Sequence, residues 1–229
     1  MRDDHQSEAP AAALAGSSPT IPAEYQALID SSRVSPHLRS ALLDRAKPDD
    51  PAAGPRSLDA RLLCVLKATL DSVIPQPPEA AIDLAARLDA MMADAVGNGW
   101  RYEALPGDPD AYRAGLSTLD DLAAARTGRS FVHLSRTERD ALLQAVHAGE
   151  AGIDGAKGRF TADQMVLWFE ELRSDAVRHY VAHPATMARI GYSGIGNGGN
   201  GGAAFTGFDA VGIGEREDWE PRRRTGAAS

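Results

Sequence analysis

The chain has 229 residues, with 24 Lys and Arg against 32 Asp and Glu, a formal charge of -8, and 43% hydrophobic residues. That is enough apolar material for one or two domains with a real core, but an acidic chain without a basic block is poorly suited to neutralising nucleic-acid phosphates. The single cysteine, Cys64, excludes an internal disulfide framework and a cysteine-rich metal site, and no stretch approaches the roughly 18 apolar residues that a membrane helix needs, so no direct membrane insertion is expected.

Residues 1–20 are Ala, Ser, Pro and charge, and read as a disordered leader. The leader has no basic n-region, twin arginine or apolar h-region, which points to the cytoplasm, with the periplasm as the alternative if export depends on another chain. Helix punctuation then recurs over residues 21–183, the expected helical domain. Ser35-Pro36 sets a capping hydroxyl before a proline at the first helical position. Ser57 precedes a helical stripe of Leu58, Leu62, Leu66, Leu70 and Val73. In this stripe Cys64 reads as a buried structural thiol. Pro75, Pro77 and Pro78 stop the helix, and a new one is expected from about Glu79 through Leu84 and Leu88 to Gly97. Asp108-Pro109 opens a helix with Tyr112, Leu116, Leu119 and Ala123 on one face and Gly128 after its end. Ser135-x-x-Glu138 and Thr161-x-x-Gln164 are capping boxes. The second begins the most apolar helix, with Met165, Trp168, Phe169, Leu172, Val177 and Tyr180. Strand-like alternation is nearly absent. The fold class is therefore all-α, a compact bundle of about six to seven helices, followed by an extended Gly-rich C-terminal arm over 184–221 and a flexible tail over 222–229.

The arm holds ten of the 22 glycines, between Gly191 and Gly214. Gly194-x-Gly196-x-x-Gly199 matches a dinucleotide loop, but it lacks the strand and helix that make such a loop bind pyrophosphate, and dense glycine produces chance matches. His179 and His183 stand one helical turn apart. A zinc-peptidase motif needs Glu directly after the first His, where this chain has Tyr180, so helix-end packing or capping is the better account. A metal enzyme built on His179, His183 and Glu170 or Glu171 is the weakest functional reading. Asp154 to Phe160 superficially resembles a calcium loop, but it puts Ile153, Gly155 and Lys157 where oxygen ligands belong. Ser193 lacks the last glycine of a nucleophile elbow. The pairs Asp120-Asp121 and Glu170-Glu171 read as solvated helix faces. No catalytic, cofactor-binding or metal residue is assigned.

Several segments together resemble a known family. Tyr112-Arg113-Ala114-Gly115-Leu116 continues through Leu119-Asp120, Ala123 to Arg126 and Gly128-Arg129-Ser130-Phe131 to Leu134-Ser135, Arg139-Asp140 and Leu142-Leu143. This run resembles the central signature of the gluconate 2-dehydrogenase subunit 3 family. Ala68 to Pro75, His183-Pro184, Ile190-Gly191-Tyr192, Gly207-Phe208 and Trp219-Glu220-Pro221 extend the likeness over roughly 60–221. The resemblance implies a small, non-catalytic accessory subunit that binds and stabilises a large FAD-dependent subunit of the glucose-methanol-choline type. That partner would oxidise a sugar, sugar acid or glycoside, with a glycoside 3-dehydrogenase among the candidates. FAD belongs to the partner, and a c-type cytochrome subunit is a less favoured additional partner. The alternative is a helical chaperone or interaction module that assists flavoprotein maturation without remaining bound.

Exposed apolar and aromatic groups spaced among glycines suggest an arm that orders on a partner. The expected partner-binding residues are Trp168, His183, Pro184, Ile190, Tyr192, Phe205, Phe208 and Trp219. The competing possibility is that the arm wraps back over its own helices.

Overall fold

A computed structural model describes residues 19–50, 52–97, 99, 102–196, 209–210 and 212–221. Among these residues the secondary structure is entirely helical. Eight α-helices follow in order: α1 (Ala23–Asp30), α2 (Pro36–Arg45), α3 (Ala60–Val73), α4 (Leu84–Ala93), α5 (Asp108–Thr127), α6 (Arg136–His147), α7 (Ala162–Val181) and α8 (Pro184–Ile190). Short 3-10 turns stand at Pro78–Ala80, Phe131–His133 and Gly194–Gly196.

Sequence punctuation sets most of these boundaries. Ser35 Oγ accepts from the Leu38 amide at the start of α2, and Ser135 and Thr161 form complete capping boxes for α6 and α7. Each box satisfies two amides that the first helical turn leaves without partners. Gly128 closes α5 in the left-handed region, at φ 72°, where a side chain would be strained. Two starts differ from expectation, and the first is that of α4, which runs Leu84–Ala93 because Glu79 lies in the 3-10 turn Pro78–Ala80 and Asp83 supplies the cap. The second is that of α3, where Asp59, rather than Ser57, caps the helix by accepting from the Leu62 amide. The Ser57 and Leu58 amides instead donate to the buried carboxylate of Asp89 on α4, which draws this stretch out of the helix.

The helices build two hydrophobic cores. The larger is a bundle of α3 to α7, with Leu66, Leu88, Leu116, Leu119, Phe131, Met165, Trp168 and Leu172 inaccessible to solvent. The smaller, here called the satellite, gathers Tyr25, Leu28 and Ile29 of α1, Val34, Leu42 of α2 and Ile195. Met187, Ala188 and Trp219 pack against it.

Cys64 is exposed, contrary to expectation. Leu62, Val65, Leu66 and Thr69 of α3 turn inward, and Cys64 falls on the outer side with Lys67. An apolar run in one helix still has an outer face.

The arm also departs from an extended form at its start. Residues 184–190 are helical, because Pro184 occupies the first position of α8 while His183 caps it. Pro184 therefore ends one helix and opens the next.

Candidate functional site

The signature run from Tyr112 to Leu143 works inside the fold. Tyr112, 1% exposed, donates its hydroxyl to Asp175 Oδ2 at 2.9 Å across α5 and α7. Burial, reinforced by this carboxylate, raises the Tyr112 pKa well above its usual value. Burial also raises that of Asp175, against the Tyr112 hydroxyl and Arg178. A Cβ on Gly115 would collide with the indole of Trp168, so this glycine makes the space that Trp168 fills. Trp168 in turn meets the Tyr112 ring edge-on, with centroids 6.4 Å apart.

Asp120 ties three segments together. It accepts from Arg61 Nη1 at 2.6 Å, Ser130 Oγ at 2.6 Å and the Phe131 amide at 2.9 Å. Burial works to raise its pKa, but the bonds from Ser130, Phe131 and Arg61 outweigh it and hold the group below the usual carboxylate range. Asp121 pairs with Arg159 at 2.5 Å. Arg113 reaches the Ser57 carbonyl, Arg129 bridges to Glu138, and Arg139 reaches the Ala68 carbonyl. The paired carboxylates of α5 are thus fasteners rather than free solvated charge.

The candidate partner residues divide sharply. Trp168 is 0% exposed in the bundle core and offers nothing to a partner. His183 and Pro184 are buried as well. His183 Nδ1 accepts from the Ala185 amide at 3.2 Å, a capping role that fixes the ring between α7 and α8. Assigning these three to a partner surface is corrected: the closeness of α7, α8 and α5 covers them. Ile190 is 47% and Tyr192 50% exposed, so both reach the surface. Phe205 and Phe208 lie outside the described residues. Trp219 folds back onto the satellite. Its ring meets Gly196 and lies near Leu28, and the Arg33 guanidinium stands 4.6 Å from its centroid. Ser193 Oγ donates to Glu220 Oε1 at 2.9 Å beside it. Ile195 and Trp219 thus both pack in the satellite, which accords with the wrap-back alternative at Trp219.

A cleft of about 410 Å³ opens between the start of α1 and the end of α8, lined among others by Pro22, Tyr25, Arg189, Tyr192, Ser193 and Arg216. Tyr25 donates its hydroxyl to the Tyr192 carbonyl at 2.8 Å, which pins the segment after α8 to α1. Sequence reasoning missed this cleft, since its walls come from opposite ends of the chain.

His179 and His183 are held neutral. Burial lowers both to a pKa of about 4, aided by Arg178, Arg87 and Arg45 at His179 and by Arg87 at His183. No group of three or more His, Cys, Asp or Glu side chains is placed to hold a metal ion among the described residues. The residues 154–159 form a turn, closed by the Ile153 amide donating to the Phe160 carbonyl at 2.8 Å. No helix of the described residues is long and apolar enough to cross a membrane.

Fold and site together define a small all-helical scaffold whose signature polar groups brace its own helices. The chain belongs to the gluconate 2-dehydrogenase subunit 3 family, whose model matches residues 63–199. Comparison with curated proteins and with solved structures gives no match. The family match leaves out α1 and α2, which supply most of the satellite.

Proposed function

We propose that this chain is the non-catalytic small subunit of a sugar, sugar-acid or glycoside dehydrogenase, bound to a large FAD-dependent subunit of the glucose-methanol-choline type. Its role is to stabilise that partner, and FAD sits in the partner. The observation that supports this most is the internal use of the signature. Tyr112, Gly115, Asp120, Arg129 and Arg139 all brace the chain's own fold, which leaves the shape of the scaffold as what it has to offer. A shape offered to a partner is what an accessory subunit needs.

Co-expression with a large flavoprotein encoded beside it tests the reading. The expected result is stoichiometric co-purification, with more soluble flavin-loaded partner than when the large chain is expressed alone. A large subunit equally soluble and active alone, which retains none of this chain, overturns it. Raised yield of the partner without retention of this chain would instead identify a maturation chaperone.

A further inference from the structure

Helices α1 and α2 keep their apolar side chains out of the bundle. Tyr25, Leu28, Ile29, Val34 and Leu42 all belong to the satellite cluster, and the bundle core among the described residues contains no residue before Leu58. Helix α2 packs on α8, and α1 packs on the 3-10 turn Gly194–Gly196. Met187 and Ala188 of α8 and Ile195 of the turn pack in the satellite with them, which leaves Ile195 only 3% exposed. The family match starts at residue 63, so these three covered residues lie inside it and the two helices that cover them lie outside.

Polar contacts fasten this pair of helices near both ends. Close to its start, the Tyr25 hydroxyl donates to the Tyr192 carbonyl at 2.8 Å. Just past its end, Arg87 of α4 donates to three acceptors: Asp49 Oδ1 at 2.8 Å, the Arg45 carbonyl at 3.1 Å and the Lys47 carbonyl at 3.4 Å. The Arg45 carbonyl is among those that the last turn of α2 leaves without a helical partner, so a side chain of the bundle closes a helix of the satellite. Asp49 in turn accepts from the amide of Asp83, the cap residue of α4, at 3.1 Å. The Arg87 and Asp49 side chains are 16% and 27% exposed, so this pair is shielded from water more than an ordinary surface pair.

We propose that α1 and α2 form a strap over α8, latched to the bundle by Arg87 and Asp49, and that release of the latch uncovers Met187, Ala188 and Ile195 without unfolding α3 to α7. The separation of the two cores sets the mechanics. Lifting residues 21–50 breaks the satellite cluster and the Arg87 contacts, but leaves the bundle core complete. Helices of 8 and 10 residues do not persist alone in water, so the strap loses its order once it is off the scaffold. The strap is a property of this chain by itself and holds whether or not the chain is an accessory subunit.

The test is hydrogen exchange and thiol labelling on the full chain. Arg87→Met should speed exchange of the α1 and α2 amides about tenfold or more, while α5 and α7 keep their protection. In a Cys64→Ser/Ile195→Cys chain, maleimide labelling should be slow with Arg87 in place and about tenfold faster with Arg87→Met. Arg136→Met is the control. Arg136 likewise donates to helix-end carbonyls, those of Asp71 and Ser72, but it joins two helices of the bundle, so α1 and α2 should exchange as in wild type. Arg87→Lys keeps the charge but loses the planar fork that serves several acceptors at once, so it should loosen the strap to a lesser degree, and it carries the test if Arg87→Met does not fold. Unchanged exchange and labelling in a folded Arg87 variant would overturn the latch. Equal acceleration in α1, α2, α5 and α7 would overturn the strap as a separately opening unit.

Discussion

The bundle and the satellite are held together by different means. In the bundle, helices of 10 to 20 residues have side-chain caps at the starts of α3, α4, α6 and α7, and α5 and α7 meet through a buried aromatic pair. In the satellite the helices are only 7 to 10 residues long, and while α2 and α8 carry their own caps at Ser35 and His183, α1 depends on side chains from elsewhere. Helix α1 has no side-chain cap at Pro22, and its C-terminal end is held by Arg39 of α2. That guanidinium donates to the Ile29 and Ser31 carbonyls, both at 2.8 Å, and to those of Asp30 and Val34. Trp219 then closes the cluster from the far end of the chain. The contrast teaches that a helix too short to persist alone can be fixed by long-range contacts, and that such a region can open without the rest.

The largest expected effect breaks the bundle itself. Trp168→Ala removes the largest fully buried side chain among the described residues and leaves a cavity between α5 and α7. A loss of about 3–5 kcal/mol is expected, read as a lower denaturation midpoint. Gly115→Val should be worse, because any side chain there meets the indole. A Trp168→Ala midpoint within about 1 kcal/mol of wild type would contradict the core as described.

Trp219→Ala should act on the satellite alone. The ring contributes packing and a cation–π contact, worth about 1–2 kcal/mol together. Hydrogen exchange should quicken in α1 and α2 while the amides of α5 and α7 keep their protection. Equal loosening of both regions would mean that they form one cooperative unit, and the comparison would fall.

The same contrast explains what was legible in the sequence. Six helices, α2 to α7, follow from signals within a few residues: Ser35-Pro36, the two capping boxes, Asp108-Pro109, Gly128 and the prolines after α3. Helices α1 and α8 give weak local signals. The first follows a proline with no capping side chain, and the second is capped by a histidine, an uncommon choice. The candidate interface was harder to read. Composition marks Trp168, Ile190 and Tyr192 as equally suited to a partner, but only packing decides that the first is covered and the others are not. Trp219 needed the fold for the same reason: its contacts with Gly196 and Leu28 join the ends of the chain.

At the seam between the two regions, acid should act through the histidines. His179 and His183 have pKa values lowered from 6.5 to about 4 by burial, with the arginines adding to it. In the unfolded chain they take up protons first, so their contribution to stability is lost as pH falls from about 6.5 towards about 4. The raised carboxyls of Asp71 and Asp175 work in the opposite sense, favouring the folded state at low pH. The expectation is therefore placed on a difference: His183→Gln should show a shallower fall in melting temperature between pH 6.5 and pH 4 than wild type. Equal slopes would mean that His183 is already free to protonate in the folded chain.

The smallest effect concerns Cys64, on the outer side of the bundle. Leu62, Val65 and Leu66 take the inward positions of α3, and Cys64 contributes nothing to the core they form. Cys64→Ser should change stability by no more than about 0.5 kcal/mol. A maleimide reagent should label the native thiol without denaturant, and labelling should leave the melting temperature nearly unchanged. Slow labelling that speeds up only on unfolding would place the thiol inside, and with it would rotate α3 against the rest of the bundle. Such a rotation would displace Arg61 from Asp120, so labelling also checks the fastener at the centre of the signature.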